Sequence, residues 1–284
     1  MRVRVGGVAL LVVIGSAVSV PAIAASGSDD PAPAPAAAAV SVNMEAVVKA
    51  AQIDPRRPDT ALTPGAKDSV LAVEKALDAK NLLAPKYVDG HFGSKTVDAY
   101  AAFQRKLGYT GLDASGLPGK TSLAKLGAGR FSVTRVLTPG SRLTSHGATM
   151  NARTKAMLAK AEARLGRTLT ITQGSYNPGG DPNSAGTHDG GGVVDISVRG
   201  LSTATQTKIV RGLREVGFAA WRRTPSQGPW PFHIHAAASS DTDLSPAAQH
   251  QIGDYYLGRN GLANQAPDDG PKVKKVTWEE FKRG

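Results

Sequence analysis

The chain has 284 residues, a net charge of +11 and no cysteine. The missing cysteine excludes disulfides, thiolate metal ligands, a cysteine nucleophile and a lipid-modified N-terminal cysteine. Basic residues are scattered and the few aromatics are not interleaved with them, which points away from nucleic acid and toward an anionic surface met by electrostatic attraction.

Residues 1–24 read as a secretory signal. Arg2 and Arg4 make the positive start, an apolar run covers 8–20, and Ala22-Ile23-Ala24 supplies small residues for cleavage. Gly15, Ser16 and Ser19 interrupt the run, which is short of the roughly 20 apolar residues a membrane span needs. The alternative is an uncleaved anchor. Export without a stable membrane anchor is the expectation. Residues 25–60 read as an Ala/Pro-rich linker containing Asp29, Asp30, Pro31, Pro33 and Pro35, with a short helix possible over 44–51.

From residue 61 the pattern changes to short helices with sharp punctuation. Val70, Val73 and Leu77 share one helical face, with Lys67, Asp68 and Lys75 outward. Asp89-Gly90 suits a tight turn, and Thr96 is placed to cap a helix carrying Ala99, Tyr100 and Phe103, closed by Gly108. A second loop, Ser115-Gly116-Leu117-Pro118-Gly119-Lys120-Thr121-Ser122, leads into Leu123 and Leu126. Gly119-Lys120-Thr121 is not a phosphate loop, because Ala114 stands where that motif needs its first glycine. The near-repeat of loop and helix resembles the small three-helix peptidoglycan-binding module of bacterial wall hydrolases, with Ser115 standing where Asp is usual. The resemblance implies a three-helix peptidoglycan-binding domain over 61–127. The plainer alternative is a structural cap with no ligand.

Residues 131–262 carry short strands with helices between them. Asn151 opens a helix closed by Gly166, and 168–172 alternates in polarity. Over 191–198, Val194, Ile196 and Val198 point to one face and Val193, Asp195 and Ser197 to the other. A helix over about 203–216 buries Ile209, Val210 and Leu213, and further short strands fall at 218–221 and 232–236. These elements suggest an α+β domain on a small antiparallel sheet. Residues 263–284 are polar and charged and read as a flexible tail.

Three of the six histidines cluster in this region. His233 and His235 are two apart, so on a strand their imidazoles share a face with each other. His188 lies in a glycine-rich loop just before the strand of Asp195. Imidazoles and one carboxylate make a sound first shell for zinc that keeps a position open for water, the mark of a catalytic site. Either motif alone is weak. Together and in this order, His188-x-x-Gly191-x-x-x-Asp195 followed by Trp230-Pro231-Phe232-His233-Ile234-His235 resembles the zinc D-alanyl-D-alanine carboxypeptidases and related wall endopeptidases. The resemblance implies that His188, Asp195 and His235 bind zinc and that His233 is the catalytic residue moving a proton or stabilising the transition state. Tyr176 and Trp230 are the candidates for substrate contact, and Trp221 either lines the cleft or packs. The chain departs from the pattern at Gly186 (usually Ser or Thr), at Val193 (commonly Ala), and at Gln173-Gly174-Ser175-Tyr176-Asn177, where many members carry a carboxylate-binding Arg. Arg222 and Arg223 are the candidates to replace it. His91 is expected at the surface, and His146 and His250 in structural roles.

The sequence pattern and these resemblances together imply a multidomain, secreted, wall-associated monomer with Zn2+ as cofactor. A small all-α three-helix module precedes an α+β peptidase domain, and the partner is peptidoglycan. The alternative is a non-catalytic peptidoglycan-binding protein that retains the peptidase fold.

Overall fold

The structure is a computed structural model in which residues 40–284 are described. The expected signal segment and the first part of the expected linker lie outside these residues. The architecture is α+β. Strand β1 (Val40–Asn43) leads into α1 (Met44–Ile53), followed by α2 (Lys67–Asp78), α3 (Ser94–Lys106) and α4 (Lys120–Gly127). Strand β2 (Phe131–Thr134) pairs in parallel with β1, and β3 (Arg142–Ser145) forms a hairpin with β4 (Ala148–Asn151). Helix α5 (Ala152–Leu165) precedes β5 (Ile171–Gln173) and β6 (Val193–Ser197), and α6 (Thr203–Glu215) precedes β7 (Phe218–Arg223) and β8 (His233–Ala238). Helices α7 (Pro246–Tyr256) and α8 (Trp278–Arg283) follow.

The central sheet is antiparallel in the order β5-β6-β8-β7. Its far face carries Val194, Ile196, Phe218, Ala220, Ile234 and Ala236, buried against α5 and α6. Local chemistry sets the ends of those helices. Asn151 Oδ1 accepts the Thr154 N–H at 2.8 Å to cap α5, and Gly166 ends it in the left-handed conformation at φ 62. Ser202 and Ser245 cap α6 and α7 in the same way. The near face is divided. At one end Val193, Ala219, Trp221 and Ala237 sit in an apolar cluster that also holds Val70, Leu77, Tyr100, Phe103 and Ile252. The other end of the face is polar and carries the site described below.

That cluster crosses the expected boundary between residues 127 and 131, and the described residues pack as one compact unit. Two expected flexible segments are folded. Within the expected linker, Val42, Met44, Val47 and Val48 are fully buried. Helix α1 is tied to the loop after β8, where Gln52 Oε1 accepts the Ser240 N–H at 2.9 Å. The Ala/Pro bias is confined to residues before 40; averaged over 25–60, it hides the apolar helical spacing of Met44, Val47, Val48 and Ala51. The expected tail is likewise held. Arg214 makes a buried fork to Asp268 at 2.9 and 2.8 Å, and Arg153 makes another to Glu279 at 3.0 and 2.7 Å. Trp278 and Phe281 pack on the far cluster. A polar segment is ordered here because its charges meet buried partners, which composition does not show.

In the helical segment, Thr96 does not cap α3; Gly93 holds that position. The Thr96 hydroxyl instead donates to Glu74 Oε1 at 3.0 Å, while Gly90 N–H and Asp89 N–H donate to Oε2 at 2.8 and 3.1 Å. A fully buried carboxyl therefore organises the turn that the sequence reads as Asp-Gly. Among the described residues no helix is long and apolar enough to cross a membrane.

Candidate metal centre

Strand register assembles the site. One cross-strand row runs Gln173, Asp195, His235, Trp221, and the next runs Ser197, His233, Arg223. Opposed residues on antiparallel strands point to the same face. A register shift between Ile171 and Gln173 lets β5 give Ile171 to the far core and Gln173 to the site row.

His188 arrives from outside the sheet. Its loop is clamped by three backbone bonds: Asn177 N–H to His188 O at 3.0 Å, Tyr176 N–H to Gly190 O at 2.7 Å, and Gly191 N–H to Asp243 O at 2.7 Å. The glycine run is required by close approach. A Cβ at Gly190 would run into the Asp243 carbonyl and lie 2.6 Å from Ser245 N, and Gly192 sits at φ 77. His188 ends at 1 % exposure and His235 at 5 %.

Hydrogen bonding then settles where each imidazole carries its proton. His188 Nδ1 lies 2.8 Å from the Gly174 carbonyl, which only accepts, so Nδ1 is the N–H and Nε2 is the lone pair. That lone pair faces Asp195 Oδ1 at 3.4 Å. Gln251 donates through Nε2 to Gly261 O at 3.3 Å, which turns its Oε1 toward His235 Nε2 at 2.7 Å. His235 Nε2 is therefore the N–H, and its Nδ1 lone pair faces the same Asp195 Oδ1 at 2.8 Å. Three acceptors thus converge, all within 4.8 Å of one another. Three acceptors facing one point repel unless a cation or an added proton sits among them.

Burial drives His235 below the ordinary histidine range, against the pull of Asp195, and so works against the added proton. A neutral imidazole is the protonation state a metal-bound histidine needs. Both histidines also have an outer partner, Gly174 O or Gln251, of the kind that orients metal-bound imidazoles. The residues fit a divalent cation.

His233 stands beside this group. Its Nδ1–H donates to Pro231 O at 2.8 Å, leaving Nε2 turned to Asp195 Oδ2 at 3.7 Å. Trp230 lies edge-on to His233, ring centres 6.3 Å apart, and lines the cavity over the site. Tyr176 is placed elsewhere. Its hydroxyl donates to Asp243 Oδ2 at 2.6 Å and its ring lies under Arg142, in a separate groove of about 720 Å³ between the loops of Tyr176, Asp189 and Asp243 and the segment of α3 and α4. Trp221 is buried and stacked near His235, ring centres 6.4 Å apart.

Sequence reasoning did not single out Gln251 or assign Gln173 a role. Their spacing carries no signal, because each reaches the site only through strand register or the docking of α7. Of the remaining histidines, His91 is buried at 4 % exposure rather than at the surface, drawn in beside the buried Phe92. His146 bridges Ser145 and Glu162 at 2.9 Å each. His250 lies outside the site on α7.

The chain matches no protein-family model, no curated protein and no solved structure.

Proposed function

We propose that the protein is an exported, zinc-dependent peptidase of bacterial peptidoglycan that hydrolyses a peptide bond of the stem peptide or cross-link. The observation that carries this reading is the convergence of the His188 Nε2 and His235 Nδ1 lone pairs on Asp195 Oδ1, with His233 alongside. Two nitrogens and a carboxylate oxygen are the donor set of catalytic rather than closed structural zinc sites. Zinc held there supplies a Lewis acid for the scissile carbonyl and acidifies water.

The chain's own groups would do the rest. His233 Nε2, its lone pair turned inward by the Pro231 bond, takes the proton of the attacking water and returns it to the leaving amine. As an imidazolium it also donates to the oxyanion. Trp230 and Gln173 form walls that orient the peptide. Residues 61–127 act in this reading as the three-helix wall-binding module that keeps the enzyme on its polymeric substrate, and the positive net charge assists on an anionic wall.

The test is metal content followed by digestion. Purified full-length protein is assayed for bound zinc, then incubated with isolated peptidoglycan with and without a chelator, and the muropeptides are read by mass spectrometry. Stoichiometric zinc and chelator-sensitive loss of a peptide bond support the reading. No zinc, bound or taken up, ends it. Zinc without cleavage of any wall fragment transfers the function to wall binding.

A further inference from the structure

Tyr176 is no part of the metal group, yet its backbone supplies one of the three clamps on the His188 loop. It is held at φ 59, in the left-handed region that a bulky side chain enters only at a cost. Such a conformation persists where the surroundings over-determine it. They do so here. Ser175 is locked to β6, its hydroxyl donating to Val193 O at 2.6 Å and accepting the Val193 N–H at 3.0 Å. Asn177 donates its N–H to His188 O at 3.0 Å. Between them Tyr176 bonds twice, through its N–H to Gly190 O at 2.7 Å and through its hydroxyl to Asp243 Oδ2 at 2.6 Å.

Asp243 turns these bonds into a closed ring. Its carbonyl accepts the Gly191 N–H at 2.7 Å while its carboxylate accepts the Tyr176 hydroxyl. The circuit from Tyr176 through Gly190, Gly191 and Asp243 back to Tyr176 thus closes just beyond His188. Gly191 sits inside it: a Cβ there would stand 2.6 Å from Tyr176 Oη and 2.8 Å from Asp243 Cβ, so the ring requires glycine. The far end of the ring is tied to the core. Asn151 and Asp241 are fully buried. Asn151 Nδ2 donates to Asp241 Oδ2 at 2.9 Å and to the Tyr176 hydroxyl at 3.4 Å, and Asp243 N–H donates to Asp241 Oδ1 at 3.0 Å. The carbonyl that fixes the His188 ring, Gly174 O, lies two residues before Tyr176 in the same segment.

We infer that Tyr176 is a positioning residue: its bond to Asp243 latches the His188 loop to the core and so sets where the His188 Nε2 lone pair points. Tyr176 and Asp243 line the groove against α3 and α4, not the cavity over the metal ligands, so their influence on the site passes through His188. A metal ligand held by a loop rather than a strand needs such a hold, because affinity depends on the imidazole already facing its partners. This rests on the metal-dependent reading above and goes beyond it by assigning what keeps the one ligand outside the sheet in place.

The experiment uses full-length protein. In the metal-free form, nitrogen-15 NMR of the imidazoles should show His188 as the Nδ1–H tautomer in the wild type. Tyr176→Phe, which keeps the ring and loses the hydroxyl, should mix the tautomers of His188 and leave His235 as it was. Zinc affinity, read by competition with a chromogenic chelator, should fall about 10-fold in Tyr176→Phe and in Asp243→Ala, the lower end for outer partners of metal-bound imidazoles. The double variant should lose no more than either alone, because both changes break one bond. Asp243→Asn, which keeps an acceptor, should retain the wild-type affinity. Variants that melt at lower temperature but keep the His188 signal and the zinc affinity would reduce the bond to a support of the fold and overturn the inference. So would additive losses in the double variant. A wild-type protein that takes up no zinc ends the peptidase reading, and the tautomer of His188 still decides this one.

Discussion

Asp195 on β6 faces His235 on β8 as its direct cross-strand partner, Oδ1 2.8 Å from Nδ1. Because Gln251 takes the His235 Nε2–H, these two atoms are both acceptors, and the pair calls for a cation or an added proton between them. Replacing His235 by Ala should therefore abolish metal binding. His233→Ala should keep the metal and lose about 100- to 10,000-fold in turnover, the usual worth of a positioned acid or base. Metal analysis beside a rate measurement separates the two, and equal metal loss in both variants would show that the roles of the pair are misassigned.

Gln251 holds His235 in the tautomer that exposes Nδ1. Gln251→Ala should weaken metal affinity by about 10- to 100-fold, as for other outer partners of metal-bound imidazoles. Competition with a chromogenic chelator measures this directly. Unaltered affinity would mean that the ring orientation is fixed by its packing alone.

Glu74 provides a pH signature far from the metal. Burial pushes its carboxyl up from 4.5 to about 7, against the bonds from Gly90 and Thr96 that favour the charged form. A raised acid contributes stability that is fully present below its unfolded value and lost as pH climbs through the folded one. Between about pH 4.5 and 7 the wild-type protein should thus lose on the order of 2 kcal/mol, which Glu74→Gln, uncharged throughout, should not lose. Thermal melts of both proteins at pH 5 and pH 8 check the sign: the variant should gain on the wild type as pH rises.

The fork from Arg153 to Glu279 fastens α8 beneath the sheet region, with Arg153 Nη2 also reaching Ser239 O at 2.8 Å. Glu279→Ala would remove the bidentate partner of a buried guanidinium and leave it only the longer contact to Asp241 Oδ2 at 3.8 Å. A cost of about 3 kcal/mol is expected, or roughly 6–12 °C in Tm, and Glu279→Gln should recover part of it. A melt unchanged by the Ala substitution would mean that the last helix contributes nothing to the fold.

Several of these relationships are legible in the sequence for a plain reason. Strand alternation is local, so the sequence by itself places Asp195 opposite Val194 and Ile196, and His233 beside His235 on one face. Caps at Asn151 and Gly166 follow from side-chain chemistry within one turn, and so does the helix between them. What depends on long-range packing was decided only in the tertiary structure. The α1 segment looks like a tether until its apolar face meets α7, and the final residues look loose until Arg153 and Arg214 meet Glu279 and Asp268. The same holds at the site. The histidines are visible as a spacing, but their usable nitrogens are chosen by Gly174 O and by a glutamine on a helix that the sequence does not connect to them. Arg223 is one of two adjacent arginines in the sequence; strand register turns it to the metal side and leaves its Nη2 unpartnered. Residue type and local period set the chemistry on offer, and the pairing of distant strands, which no local pattern encodes, set which atoms face one another.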